Sequence, residues 1–161
     1  MSTTYAEMLN GAPLARRAPG VRHELICARL HQWVKARATN FAGTRLLAPR
    51  SEVRLSFNHT VCPDLALVAA VTGKVWLAAE IVSSDDHQPD TVIKKQIYEE
   101  IKLPRLWMID PRYDNVEVYH SNEYGLILKG ILAGNELLTE KLLPEFQLTI
   151  AALFAAEPPH G

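Results

Sequence analysis

Residues 75–82 form an almost unbroken apolar run, VWLAAEIV, that contains one charged residue, Glu80. Such a run is typical of a strand that lies inside a sheet and is covered on both faces. The chain is therefore expected to fold as layers around a central sheet. An ionised carboxylate in such a strand is unfavourable unless it is paired or bound to a metal ion, so Glu80 requires a partner.

Other segments supply the elements around that strand. Residues 21–38 carry apolar side chains at helical spacing, which predicts an amphipathic helix. Residues 51–57 alternate as a half-buried strand does, and His59 and Thr60 are expected to form the turn before a strand that begins at Asp64. A second helix is predicted from residue 90 to about 102 because Pro104 bars its continuation. The remaining predictions are strands over 106–109, 116–120 and 124–128, strand material near Leu137, and a closing strand or turn with a short helix over 144–154.

The order of these elements defines the fold class and the domain organisation. Helix, strands, helix and strands in succession predict an α+β (mixed α/β) protein with a central mixed sheet flanked by helices. The glycines and prolines among the first 20 residues favour an irregular N-terminal arm over residues 1–20. A single domain is expected over residues 21–155, followed by a C-terminal tail over residues 156–161.

Composition indicates a soluble cytoplasmic protein with no membrane partner. No apolar run approaches the roughly 20 residues needed to span a bilayer, and the N-terminal sequence lacks the basic-then-apolar order of a secretory signal. The chain has two cysteines, which give no disulfide framework.

The charge of the chain is unevenly distributed along it. Residues 1–63 carry nine Lys and Arg against three Asp and Glu, whereas residues 64–161 carry eight against fifteen. A basic half beside an acidic half suits a protein that contacts phosphates on one side and holds cations on the other. The alternative is that folding mixes the two halves and leaves no basic surface.

Two acids and a lysine form a candidate site for phosphodiester hydrolysis. Asp64 opens a strand sixteen residues before Glu80, and neighbouring strands lie only about 4.8 Å apart. Their carboxylates are therefore able to converge on one divalent cation. Asp90, Lys94 and Tyr98 follow at steps of four along one helix row, from which the Lys94 ammonium reaches the strand ends. An ammonium there neutralises phosphate charge and orients an attacking water.

Each of these residues also has a structural interpretation. Asp64 alone is equally typical of an acid that caps a turn. Glu80 is able to pair with a buried arginine such as Arg54 without any chemistry. Lys94 lies beside Lys95, and a lysine on an amphipathic helix usually belongs to its solvated face.

The chain resembles the Uma-two (Uma2) family of bacterial putative restriction endonucleases, which is assigned to the PD-(D/E)XK nuclease superfamily. The first part of the resemblance is Pro63-Asp64, followed by E-I-V-S at 80–83 and D-x3-K-x3-Y at 90–98. The remaining matches are His23 in the first helix, P-R-L-W-M-I-D-P at 104–111 and L-P-E-F-Q-L at 143–148. Together they cover roughly residues 20–155.

The resemblance implies a restriction-endonuclease-like core and roles for individual residues. Asp64 and Glu80 would bind Mg²⁺ or Mn²⁺ with the backbone carbonyl of Ile81, and Lys94 would polarise the attacking water or stabilise the transition state. His23 is the expected supporting residue from the first helix, with Glu24 as the alternative, and Tyr98 either supports Lys94 or packs beneath the site.

The chain also departs from the family pattern. Val82 stands where the superfamily usually has its lysine, so Lys94 takes that role from the helix. Ser84 stands where a proline usually follows the serine of the E-x-x-S element.

The expected function is a metal-dependent endonuclease that hydrolyses DNA. A homodimer is plausible because cutting two strands calls for two sites. The alternative is a catalytically silent nuclease-fold module that binds DNA or protein, and a third class is a metal hydrolase of small molecules on the same fold.

Overall fold

The computed structural model describes residues 4–38, 43–83 and 88–156. Its helices are α1 (Val21–Ala38), α2 (Lys95–Glu100) and α3 (Ile150–Phe154), and a π-helical segment, Pro89–Lys94, leads directly into α2. Its strands are β1 (Thr4–Leu9), β2 (Ala12–Arg17), β3 (Thr44–Leu46), β4 (Val53–Ser56), β5 (His59–Val61), β6 (Leu65–Ala69), β7 (Val75–Ile81), β8 (Arg105–Asp110), β9 (Asn115–Asn122), β10 (Gly125–Ala133), β11 (Leu137–Glu140) and β12 (Leu143–Thr149).

A six-stranded mixed sheet forms the centre of the structure. Its strand order is β10-β9-β8-β7-β6-β3, so the apolar run that predicted an interior strand occupies β7, between β6 and β8. Among the described strands of this sheet, β7 and β8 run parallel and the other neighbours run antiparallel. The predicted α+β class with a central mixed sheet flanked by helices is confirmed.

The two faces of the central sheet are covered by different elements. On one face, α1, α3 and the β11–β12 pair pack against Leu65, Leu77 and Trp107, and the ring of Trp107 stacks on that of Phe146 at 5.6 Å between centroids. On the other face, α2 and a four-stranded sheet of order β2-β1-β5-β4 cover Ala78. Burial of each large apolar side chain stabilises the fold by roughly 1.5–3 kcal/mol. This packing fixes the positions of the strands that carry the site.

The first residues of the chain form a hairpin, so the prediction of an irregular arm is wrong for residues 4–17. Strands β1 and β2 pair antiparallel from Thr4 with Arg17 to Leu9 with Ala12. The turn between them is Asn10-Gly11, with φ values of 54° and 78°, and two positive φ values are what a two-residue type I′ turn requires. The prolines and glycines of this region therefore belong to a hairpin and to the segment that connects it to α1.

The turn predicted at His59 and Thr60 is also misplaced. Both residues belong to β5, and the reversal lies at Phe57 and Asn58. The side chain of His59 is buried and its Nδ1 accepts a hydrogen bond from the backbone N–H of Asn10 at 3.0 Å. This bond ties β5 to the hairpin turn, because a buried ring nitrogen requires a partner.

Most of the other predicted elements lie where expected. Helix α1 spans the predicted 21–38, whereas the helix predicted to start at 90 begins as the π-helical segment and ends at Glu100. No helix within the described ranges is long and apolar enough to cross a membrane. Ser84 and most of the predicted tail lie outside the described residues, and the domain boundaries stay a prediction.

Candidate active site

Strand geometry brings Asp64 and Glu80 to the same face of the central sheet. Strands β6 and β7 pair antiparallel with Leu65 opposite Ala79, so Asp64, one residue before β6, lies beside Glu80. Side chains alternate between the faces of a strand. Leu65 and Ala79 belong to the core on the α1 face, while Ala78 belongs to the core on the α2 face. Both acids therefore share the α2 face with Ala78, and they are only 4% and 2% exposed.

Asp64 is fixed by donors from three parts of the chain. The Ile81 backbone N–H donates to Oδ2 at 2.8 Å, and Arg50 donates to Oδ1 at 3.1 Å. His23, on α1, places its Nε2 at 2.9 Å from Oδ1. Burial raises the pKa of Asp64, but the hydrogen bond and charge of His23 and the Ile81 N–H outweigh it and hold the pKa below its usual range. Asp64 is thus an oriented, ionised carboxylate.

Glu80 receives two donors on the same oxygen. The Tyr98 hydroxyl donates to Oε1 at 2.6 Å, and Lys94 Nζ lies at 2.6 Å from that oxygen. Burial raises the pKa of Glu80 to about 8 despite the opposing charge of Lys94. The alternative pairing with Arg54 is not the observed one, because Arg54 is exposed and Glu80 pairs with Lys94.

Lys94 points inward and does not belong to a solvated helix face. It is 1% exposed, whereas the neighbouring Lys95 lies over the ring of Tyr119 at 4.5 Å. Lys94 ends the π-helical segment, a distortion that is frequent at functional sites. Asp90 and Tyr98, the other members of the predicted helix row, are buried on the same side, and an Asp90 oxygen lies 4.0 Å from Lys94 Nζ.

Glu7 and Arg16, which the sequence reasoning missed, complete the cluster from the hairpin. Glu7 Oε2 lies 2.7 Å from Lys94 Nζ, and Arg16 donates to Glu7 Oε1 at 2.6 Å. The second terminal nitrogen of Arg16 contacts both oxygens of Asp90 at 3.1 Å. Glu7 lies two residues before Leu9 in β1, and both side chains are buried.

The oxygen atoms of Asp64, Glu80 and the Ile81 backbone carbonyl are of the type that binds a hard divalent cation. The Ile81 N–H points to Asp64, whereas the Val82 N–H points to β8 and donates to Ile109 O at 2.8 Å. Because the N–H and C=O of one strand residue point to the same side, the Ile81 carbonyl faces the edge where Asp64 lies. Two carboxylates and a carbonyl are ligands suited to Mg²⁺ or Mn²⁺. Within the described residues, no group of three or more His, Cys, Asp or Glu side chains is arranged to hold a metal ion, so a cation bound here would take its other ligands from water and substrate.

A cavity of about 610 Å³ is lined in part by Arg16 and His23, which contact Asp90 and Asp64. Its described lining does not include Asp64, Glu80 or Lys94 themselves. Its described lining contains four arginines and one histidine and no acidic residue; the charged or aromatic members are Tyr5, Arg16, Arg17, Arg22, His23 and Arg112. Three of the arginines have acidic partners: Arg22 bonds Asp114, Arg112 bonds Asp110, and Arg16 bonds Glu7 and Asp90. His23 likewise contacts Asp64. The described lining thus holds basic and no acidic side chains, and Arg17 is exposed at its rim.

The fold places the protein in a class, the restriction-endonuclease-like proteins. A solved structure shares the fold: a putative nuclease belonging to DUF820 from Anabaena variabilis ATCC 29413, with a TM-score of 0.77 and 17% sequence identity over 93% of this chain and 89% of that chain. The chain belongs to the Uma2 family, described as putative restriction endonuclease, whose family model matches residues 2–151. That match includes the hairpin. Curated proteins gave no match. Membership of this family supports a nuclease role.

Proposed function

We propose that the protein is an endonuclease that hydrolyses DNA phosphodiester bonds with Mg²⁺ or Mn²⁺. Asp64, Glu80 and the Ile81 carbonyl would hold the cation. The observation that carries the proposal is the placing of two buried carboxylates, Asp64 and Glu80, side by side on paired strands. The buried Lys94 contacts Glu80, and His23, which lines the basic cavity, contacts Asp64. Burying ionisable groups is unfavourable, so such groups are typical of sites where their charges are used.

The chain's own residues supply orientation and positive charge. When bound, the cation would polarise the phosphate and lower the pKa of a coordinated water. Burial alone would lower the pKa of Lys94, but Glu80 and Glu7 raise it well above its ordinary value. Lys94 therefore stays protonated and acts by stabilising the charge that develops on the phosphate, and it is not a general base.

Two further residues position the carboxylates. Burial and the neighbouring Glu80 raise the pKa of Tyr98, so its hydroxyl stays a donor that orients Glu80. His23 orients Asp64 in the same way from α1.

The basic cavity would receive the backbone of the DNA. Phosphate contacts of this kind are independent of sequence and weaken with salt. Cleavage of both strands calls for two sites, so a homodimer belongs to the proposal.

The second candidate function is a catalytically silent module that binds DNA or protein. It is favoured by the ion pairs of Lys94 with Glu7 and Glu80, which satisfy these charges within the protein. Networks of this kind also occur as purely structural features.

Nicking of supercoiled plasmid with Mg²⁺ or Mn²⁺ tests the proposal. Wild type should cut, and Lys94→Ala and Glu80→Gln should lose about 100- to 1000-fold in rate, the usual effect of removing one charge-stabilising group. Lys95→Ala, on the same helix, is the matched control and should cut like wild type. Circular dichroism should first establish that each variant is folded.

Three other outcomes reject the proposal. If wild type does not cut, divalent cations do not raise its melting temperature, and DNA binds without them, the silent module is the better description. Equal cutting by all variants shows that the site lies elsewhere. Cleavage of activated phosphodiesters with indifference to DNA indicates the small-molecule hydrolase.

A further inference from the structure

Two carboxylates contact the ammonium of Lys94 directly, and a third, that of Asp90, lies 4.0 Å away. Lys94 Nζ lies 2.6 Å from Glu80 Oε1 and 2.7 Å from Glu7 Oε2, and the side chains of these three residues are 2% exposed or less. Glu80 is a proposed ligand of the divalent cation. Glu7 comes from β1 in the other sheet, outside the pair of strands that carries the proposed ligands.

A single shared carboxylate would create a conflict inside the site. If Glu80 were the only partner of Lys94, a cation that takes Glu80 would leave a buried ammonium without a counter-ion. An uncompensated buried charge is strongly unfavourable. The ammonium and the cation would then exclude each other, although the proposed reaction uses both.

Glu7 is held so that it offers Lys94 a permanent partner. Arg16 donates to its Oε1 at 2.6 Å, and the Cys62 backbone N–H donates to its Oε2 at 2.7 Å. Residues from β2 and from the end of β5 therefore fix both oxygens of a β1 side chain. Burial raises the pKa of Glu7, but Lys94 and the Cys62 N–H outweigh it, so the pKa lies below its usual value.

The same hairpin also holds the segment that carries Lys94. Arg16 contacts both oxygens of Asp90 at 3.1 Å, and Asp90 lies four residues before Lys94 in the π-helical segment. The β1–β2 hairpin thus contacts the ammonium through Glu7 and the backbone that bears it through Arg16.

We propose that Glu7 is a positioning residue whose carboxylate keeps Lys94 in the site while a divalent cation occupies Glu80. The inference rests on the proposed function. It assigns no cation contact to Glu7, and it makes the hairpin a part of the active site.

Cation titration of Glu7→Gln tests the inference without relying on activity. The amide keeps the size of the side chain but removes its charge, so Lys94 is left with Glu80 at 2.6 Å and the more distant Asp90 at 4.0 Å. The cation must then compete with Lys94 for Glu80. The Mn²⁺ concentration that gives half of the maximal rise in melting temperature should increase at least tenfold, which corresponds to about 1.4 kcal/mol. Glu52→Gln, at an exposed glutamate before β4, is the matched control and should titrate like wild type.

A second variant separates positioning from a merely structural role. In the double variant Glu7→Gln with Lys94→Met, the competing ammonium is absent. The Mn²⁺ concentration at half of the maximal rise in melting temperature should then return to the wild-type value or below it, although this variant should not cleave DNA. Cleavage by Glu7→Gln alone should show a lower kcat at saturating Mn²⁺ with little change in KM for DNA.

The outcomes distinguish this inference from the proposed function. If wild type binds Mn²⁺ and cuts DNA but Glu7→Gln titrates and cuts like wild type, the positioning role is wrong and the proposed function stands. A midpoint that stays raised in the double variant also overturns the inference, because Glu7 would then act on the cation or the fold directly. If wild type neither binds Mn²⁺ nor cuts, the proposed function fails and the inference fails with it.

Discussion

Replacing Arg16 with methionine removes the cation that lies between Glu7 and Asp90. The side chains of the two acids are 0% and 3% exposed, so neither is able to exchange the lost partner for bulk water. Removing one partner of a buried ion pair destabilises a protein by roughly 3–5 kcal/mol. Lys94 still contacts Glu7 and lies 4.0 Å from Asp90, so the lower end of that range, about 3 kcal/mol, is expected.

Urea unfolding measures this loss directly. In a domain of this size, about 3 kcal/mol corresponds to a melting temperature roughly 6–12 °C lower. Arg17→Met is the matched control, because Arg17 is the next residue of the same hairpin and is exposed; its stability should change by less than about 0.5 kcal/mol. The penalty for Arg16→Met should shrink on acidification as the freed carboxylates of Glu7 and Asp90 take up protons. An Arg16→Met loss no larger than that of Arg17→Met would refute the argument that this guanidinium neutralises buried charge.

Two further predictions concern pH and the hairpin turn. The folded state raises the pKa of Glu80 from 4.5 to about 8, so its stabilising contribution is complete below about pH 4.5 and is lost as the pH rises through about 8. Without divalent cations, the free energy of unfolding of wild type should therefore fall more between about pH 5 and pH 8 than that of Glu80→Gln, as measured by urea unfolding. Equal losses in the two proteins would contradict the raised pKa of Glu80. At the turn, Gly11→Ala places a side chain at φ 78° and should lower stability by about 1–2 kcal/mol, whereas Gly20→Ala, which has open space and no positive φ, should leave the melting temperature unchanged.

The sequence predicted the central sheet because one of its strands is apolar on both faces. It predicted Glu80 as a site residue because Glu80 is the one charged residue in that strand. Asp64 was predicted as a second site residue because its carboxylate opens a neighbouring strand. Lys94 was predicted as a site residue because it lies four residues after Asp90 on one row of the predicted helix, and because it matches the family pattern. These inferences depend on spacing within about 30 residues, where strand and helix geometry fixes which side chains meet.

The hairpin could not be placed in the site by the same reasoning. The Asn10-Gly11 turn was a readable signal, but Pro13 argued against a strand. The structure explains why it is tolerated: β2 is an edge strand of the four-stranded sheet, where a missing N–H is harmless. The contact of Arg16 with Asp90 joins distant segments, and no local pattern encodes it. The π-helical start of the second helix likewise has no signal that distinguishes it from an α-helix.

The separation of the hairpin from the segment it contacts has a consequence for biosynthesis. Arg16 and Asp90 are 74 positions apart, and contacts between distant parts of a chain form late because loop closure is entropically unfavourable. A ribosome adds about 5–20 residues per second, so the hairpin exists for several seconds before its partners are made. Nascent chains that end before Lys94 lack its ion pairs with Glu7 and Glu80. Incomplete translation products of this protein are therefore expected to lack the proposed active site.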